Sequence, residues 1–193
     1  MTRDDAIRKN LSDMLALNRH ILEAVERQRG EEAVRERPEV NELVIRIERV
    51  MKAHVAELES LAKTYGTSKD SLLKKAVTGA VGAAAGLYGK IREHERSRML
   101  RDNYTALNLL AISYAMLHTF GLSIDESNIA DLAYRHLKNL PTLIGSVRDA
   151  IPSTVAAEIS SQDEFAVVSD AASRATANLA EIWTNGPLIA STD

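Results

Sequence analysis

The stretch NYTALNLLAISYAMLHTFGL, residues 103–122, decides the fold class of this chain. Coiled into a helix, it presents apolar side chains in nearly every direction, and such a helix is covered on more than one side. It belongs to a predicted helix over residues 92–120 that Gly121 ends. The chain must therefore supply several helical partners for this central element.

Three other segments have the apolar spacing of amphipathic helices, and each apolar stripe contains one polar residue. The first helix is predicted over residues 4–28, with Asn18 on its stripe, and the second over 39–65, with His54. The last begins after Asp125, its predicted cap, and places His136 on its apolar face. Together with residues 92–120, these segments predict a four-helix bundle.

The end of the chain is predicted to be helical as well. Pro141 should kink or break the helix that begins after Asp125, because an interior proline loses a backbone hydrogen bond. After Pro152 we expect a short helix and then a last helix over residues 163–183. The predicted organisation is a bundle over residues 1–152 and a helical extension over 153–193, packed on the bundle or on a partner subunit.

Composition supports an all-α class and narrows the function. The 193 residues are 45% hydrophobic but only 4% aromatic, which favours aliphatic helix packing over a sheet. A net charge of −3 does not favour nucleic acid as a partner. Because cysteine is absent, any metal must be held by nitrogen and oxygen ligands. The first thirty residues show no export signal, so we expect a cytoplasmic protein.

The first two helices should form an antiparallel hairpin, because the predicted connection between them is short. Pairing residues outward from positions 34 and 35 places Asn18 opposite residues 50–54. We therefore expect Asn18 and His54 to meet in the core.

The segment between the two hairpins is rich in glycine and alanine. We interpret residues 67–91 as the long crossover that ferritin-like bundles need between their hairpins. Its uncharged part, residues 76–89, is too short for the roughly 20 residues of a membrane-spanning helix. A membrane-active glycine face at 76–89 is the alternative interpretation, and we favour the crossover.

In order, length and spacing, the two hairpins over residues 5–150 resemble the ferritin-like superfamily. Within it they are most similar to the YciE and YciF type of bacterial stress-associated proteins, whose biochemical role is not established. The resemblance implies two antiparallel hairpins joined by a long crossover, with a pair of metals bound at the bundle centre. It also implies a stress-related role.

The ligands that the resemblance implies are largely missing from this sequence. A carboxylate from each of two helices and a Glu-x-x-His-like pair from each of the other two would hold the metals. Asn18 stands at the first carboxylate position and Val50 or Met51 at the second, so only His54 is retained there. The comparable positions in the other hairpin are Asp102 and Thr105, and then Asn139 and Thr142. We therefore expect a degenerate di-iron site and a non-catalytic protein.

Two interpretations of the remaining polar residues stay open. His54, Asp102 and His136 could hold a single ion such as Zn²⁺, which would make the chain a metal-binding or oxidoreductase-like bundle. The favoured interpretation is that both histidines are core residues hydrogen-bonded to neighbours, with no cofactor. The expected neighbours are Asn18, Tyr104, Asn108 and Tyr114.

Self-association is the expected working form of the protein. The apolar faces of the central helix and of the last helix exceed what one four-helix core covers. The sequence therefore predicts a homo-oligomer.

Overall fold

The computed structural model describes residues 1–66, 96–162 and 166–185, and within these ranges all regular secondary structure is helical. This confirms the predicted all-α class. The helices are α1 (Arg3–Gly30), α2 (Glu32–Arg35), α3 (Pro38–Thr64), α4 (Arg96–Ser123), α5 (Ser127–Ser160) and α6 (Ala171–Asn185). Residues 67–91, predicted to form the crossover, and the 76–89 glycine face lie outside the described residues.

The local sequence explains where the first helices begin and end. Thr2 and Asp5 form a capping box at the start of α1, each side chain bonding the backbone N–H of the other residue. Gly66, with a φ of 73°, lies just beyond the end of α3, as predicted. The four-residue helix α2 was not predicted, and it extends the connection between α1 and α3.

The turn between α4 and α5 differs from the prediction. Asp125 does not cap α5, because it adopts a left-handed conformation with a φ of 56°. Glu126 occupies the cap position, and no side chain makes a capping hydrogen bond there. The Glu126 carboxylate instead accepts a hydrogen bond from Tyr65, the residue just after α3, and pairs with Arg3 of α1. This turn thus ties three helices together.

Helix α5 continues through both prolines, so of the predicted kink or break at Pro141 the break does not occur, and the separate short helix after Pro152 is wrong. Each proline removes one backbone donor, but the buried side chains of Leu140, Leu143 and Val147 hold the middle of the helix in the core. The predicted boundary between the bundle and the C-terminal extension, at residues 152 and 153, lies inside this helix.

Ion pairs show that α1 and α3 are antiparallel. Arg29 pairs with Glu48, and ten residues earlier in α1 Arg19 pairs with Glu59, eleven residues later in α3. This register places Asn18 opposite about residue 60, so the predicted position opposite 50–54 is wrong by roughly two helical turns. The difference in register arises in the connection between the two helices. Because this connection forms α2 before α3 begins, the start of α3 extends beyond the end of α1.

Contacts at the ends of the bundle give the directions of the other helices. At one end the start of α5, at Glu126, meets the end of α3 and the start of α1. At the opposite end Arg96, the first residue of α4, donates to the carbonyl of Ala33 and lies near Glu158 of α5. Helices α1 and α5 therefore run one way, and α3 and α4 the other. Residues 66 and 96 consequently lie at opposite ends of the bundle.

The core is filled mainly by aliphatic side chains from α1, α3, α4 and α5. Among the described residues, only α4 is long and apolar enough to pass a length-and-composition test for a membrane span. A third of the apolar 18-residue stretch of α4 is buried inside the bundle. This helix supplies Leu107, Leu110, Tyr114 and Leu117 to the core. Helix α6 packs on α5 and leaves Ile182 and Trp183 exposed.

Gly121 permits the close approach of α4 and α5 beside their turn. A β-carbon at this position would lie 2.6 Å from the backbone nitrogen of Ala130. We expect Gly121→Ala to lower the free energy of unfolding by about 1–3 kcal/mol, measured by urea denaturation, because the two backbones must separate.

Gly145 is the matched control, since it also lies in a helix but a β-carbon there would meet nothing within 4 Å. Gly145→Ala should raise the free energy of unfolding by roughly 0.5–1 kcal/mol through helix propensity. A Gly121→Ala protein as stable as the unmodified chain would show that the α4–α5 approach is looser than described.

Candidate functional site: a buried polar cluster

One polar residue from each long helix meets at the centre of the bundle. Asn18 of α1, His54 of α3, Tyr114 of α4 and His136 of α5 are all buried, with no more than 1% of each exposed. We call these four residues the polar cluster. Their predicted core positions are confirmed, but Asn18 and His54 are linked through Tyr114 and not by a described hydrogen bond of their own.

A chain of hydrogen bonds runs through the polar cluster in one direction. The Asn18 Nδ2 donates to the backbone carbonyl of Met14 at 2.8 Å, which leaves Asn18 Oδ1 as an acceptor. The Tyr114 hydroxyl lies 2.9 Å from that oxygen and must donate to it. Burial raises the pKa of Tyr114 well above its usual value, so the phenol keeps the proton that it donates.

The direction of these hydrogen bonds fixes which ring nitrogen of His136 carries the proton. Because the single Tyr114 proton goes to Asn18, the contact of 2.9 Å between Tyr114 and His136 Nδ1 requires a proton on that nitrogen. A neutral His136 therefore has a bare lone pair on Nε2. This nitrogen is buried, lacks a hydrogen-bond partner among the described residues, and lies 3.3 Å from Glu57 Oε2. Two acceptors thus face each other.

The two histidine rings stack, and Tyr114 packs edge-on against both. The ring centroids of His54 and His136 are 3.9 Å apart with an angle of 6° between the planes. Burial is the main cause that lowers the pKa of His54 to about 3, and the neighbouring His136 contributes in the same direction. Burial also lowers the pKa of His136, although Glu57 opposes that shift. Both rings are consequently neutral near pH 7.

Stacking prevents the two histidines from chelating a common ion. The lone pair of an imidazole lies in the ring plane, so nearly parallel rings direct their lone pairs along separate planes. His54 Nε2 accepts a hydrogen bond of 3.3 Å from the Asn139 amide. The pair is therefore arranged for packing against Tyr114 and not for shared coordination.

The structure does not bring Asp102 to the two histidines. Asp102 precedes Tyr114 by twelve residues in α4, which corresponds to roughly 18 Å along the helix. Its carboxylate accepts two hydrogen bonds from the adjacent Arg101. Over residues 1–66, 96–162 and 166–185, no three histidine or acidic side chains group as metal ligands.

The other expected members of the polar core have different positions. The predicted core position is wrong for Asn108, which is exposed and donates to the carbonyl of Tyr104 in its own helix. Tyr104 is partly buried against the core. Buried polar residues that the sequence did not single out include Asn103, which exchanges two hydrogen bonds with Gln28.

Glu48 is the only buried acid among the described residues. It accepts hydrogen bonds from Lys52 and Arg29, and the bond from Lys52 is the main cause that lowers the pKa of this carboxyl. Two cations therefore already neutralise Glu48, which acts as a link between α1 and α3.

Glu57 is the site residue that sequence reasoning missed. It follows His54 by three residues on α3, but its importance depends on α5, where Arg135 donates to Glu57 Oε2 at 3.1 Å beside His136. These groups come together only because α3 and α5, which are far apart in the sequence, pack against each other. Glu57 also lines a groove of about 450 Å³ between α3 and α5, together with Ser60, Leu61, Thr64, Asn128, Asp131, Leu132 and Arg135.

Comparison with known proteins gives no relative for this chain. The sequence matches no protein-family model, and no curated protein or solved structure is significantly similar to it. The function must therefore be argued from the site and from the surface.

Proposed function

We propose that this chain is a ferritin-like bundle without di-iron chemistry, and that it works as a self-associating protein. The order of helix directions supports the ferritin-like arrangement. Two antiparallel hairpins, α1–α3 and α4–α5, lie side by side, and residues 66 and 96 lie at opposite ends. A connection between opposite ends is what a long crossover provides.

The donor set of the polar cluster supports the absence of di-iron chemistry. Buried iron ions need about four carboxylates to neutralise their charge. The four helices instead contribute an amide, a phenol and two neutral imidazoles, held together by hydrogen bonds and ring packing. The cluster is best explained as a register device that fixes how the four helices pair.

The surface of α4 supports self-association, and it is the observation that carries the proposal. No charged residue occurs between Ala106 and Ile124. Ile112 is 60% exposed and Met116 is 69% exposed. Leu109 and Phe120, which are partly buried, continue the same helical stripe. We call Leu109, Ile112, Met116 and Phe120 the α4 patch.

A second copy of the chain is the partner that this patch fits. In a two-fold dimer the same surface meets itself, so a charged stripe would place like charges together. An uncharged apolar stripe avoids that penalty and removes exposed apolar surface from water. Two α4 helices packed antiparallel would bring Ile112 of each copy near Met116 of the other.

Sedimentation velocity tests this proposal on the full chain. We expect the unmodified protein to form dimers or larger assemblies, and Ile112→Glu/Met116→Glu to weaken association at least tenfold, on the order of what a buried interface core contributes. Both side chains are exposed, so circular dichroism and the unfolding midpoint should change little.

Val155→Glu is the control, because Val155 is an exposed apolar residue on α5, away from the α4 patch. It should leave association unchanged. An unmodified chain that stays monomeric at high concentration, or a double variant that assembles normally, would overturn the proposal. Flotation of the unmodified chain with liposomes, lost in the double variant, would instead indicate a lipid surface as the partner.

A further inference from the structure

The Glu57–His136 contact lacks one positive charge. Four links join Met14, Asn18, Tyr114, His136 and Glu57, and acceptors stand at both ends of this series. When His136 is neutral, protons are present for only three of the four links, one each from Asn18, Tyr114 and His136. The last link, from Nε2 to Glu57 Oε2, therefore joins a lone pair to a carboxylate oxygen, which is unfavourable unless a cation lies between them.

The separation of the two atoms at this link fits two ligands of one metal ion. In a tetrahedral site with bonds of roughly 2.0–2.1 Å, ligand atoms lie about 3.3 Å apart. The separation of His136 Nε2 and Glu57 Oε2 is 3.3 Å. The other nitrogen of His136 donates to Tyr114, and metal-binding histidines usually have such a partner, which fixes the ring.

We propose that His136 Nε2 and the Glu57 carboxylate bind one divalent transition ion of the Zn²⁺ type. Neutral imidazole and carboxylate suit such an ion, and water from the groove beside Glu57 completes its coordination. The Glu57 side chain is 48% exposed and lines the groove, so the groove is the side from which an ion would reach this carboxylate. This site shares His136 with the expected set of His54, Asp102 and His136 but uses Glu57 in place of the other two, and it does not depend on self-association.

Arg135 is the group that competes with the ion. Its guanidinium donates to Glu57 Oε2 at 3.1 Å and places a positive charge beside the proposed position. The Arg135 side chain is largely exposed, so it can turn toward solvent when an ion binds. Removal of this charge should therefore tighten binding, whereas a purely structural role for Arg135 would not produce that effect.

Calorimetric titration of the full chain with Zn²⁺ at neutral pH, and with Co²⁺ followed by visible absorption, tests the site. We expect one ion per chain. Glu57→Gln should weaken binding roughly 10- to 100-fold, because loss of a ligand costs at least as much as loss of a supporting group. Arg135→Gln should strengthen it.

Glu59→Gln is the control, since Glu59 lies two residues away on the same helix and pairs with Arg19 of α1. It should bind the ion as the unmodified chain does. The proposal fails if no saturable binding occurs, if Glu57→Gln and Glu59→Gln bind equally, or if Arg135→Gln binds more weakly. Circular dichroism of each variant establishes that the bundle is folded in the titrated sample.

Discussion

Replacing Tyr114 with phenylalanine is expected to lower the free energy of unfolding by about 2–4 kcal/mol. The hydroxyl donates to Asn18 Oδ1 and accepts from His136 Nδ1, each at 2.9 Å. Its loss leaves both groups buried without partners, and each unpaired group costs roughly 1–3 kcal/mol. The ring itself is kept, so packing against the two histidines changes little.

Urea denaturation measures this effect, and Tyr134→Phe provides the comparison. Tyr134 lies on α5 with its side chain half exposed, so loss of its hydroxyl should change stability by less than about 0.5 kcal/mol. Equal stabilities of the two variants would show that the hydrogen-bond chain through Tyr114 is not formed.

A double-mutant cycle identifies the partner groups. Asn18→Leu removes the amide that Tyr114 would otherwise leave unpaired, so the double variant Asn18→Leu/Tyr114→Phe should cost less than the two single changes added together. Strict additivity would indicate that the two side chains do not interact.

The positions of the long helices could be predicted from local sequence alone. Apolar spacing located α1, α3 and α4 to within a few residues, because it reports which side of a helix is buried. The same spacing identified Asn18, His54 and His136 as core residues, since each interrupts an apolar stripe. The burial of Tyr114 also followed from its position among apolar neighbours.

Features that depend on the pairing of helices could not be predicted. The register of α1 against α3 was missed because α2 lengthens the connection. Asn108 was expected in the core, but α4 is apolar on several sides, and nothing in its sequence indicates which side faces solvent. Glu57 acquires its role only from Arg135 and His136 on a helix that lies nearly eighty residues further along the chain.

The uncharged part of α4, from Ala106 to its end at Ser123, has two consequences in this fold. Its inner side places Tyr114 among the core residues, where the hydroxyl connects three helices. Its outer side leaves Ile112 and Met116 in solvent. A sequence that is apolar on all sides is therefore used once for the interior of the bundle and, in our proposal, a second time for contact between copies.

Acidification from pH 7 to pH 5 is expected to lower the free energy of unfolding by about 2 kcal/mol through His54 alone. In the folded chain burial lowers the pKa of His54 from 6.5 to about 3. Between these values the unfolded chain binds a proton that the folded chain excludes, so stability is full above pH 6.5 and decreases as the pH falls. The pKa of His136 is also lowered, and its contribution has the same sign.

Urea denaturation at pH 7 and pH 5 measures this loss in a range above the usual pKa of carboxyl groups. The control is His54→Phe, which keeps an aromatic ring beside His136 and Tyr114 but removes the titrating group. Between pH 7 and pH 5 the His54→Phe protein should lose about 2 kcal/mol less stability than the unmodified chain loses. If both proteins lose the same stability, His54 accepts its proton in the folded bundle, and the neutral stacked pair described above does not exist.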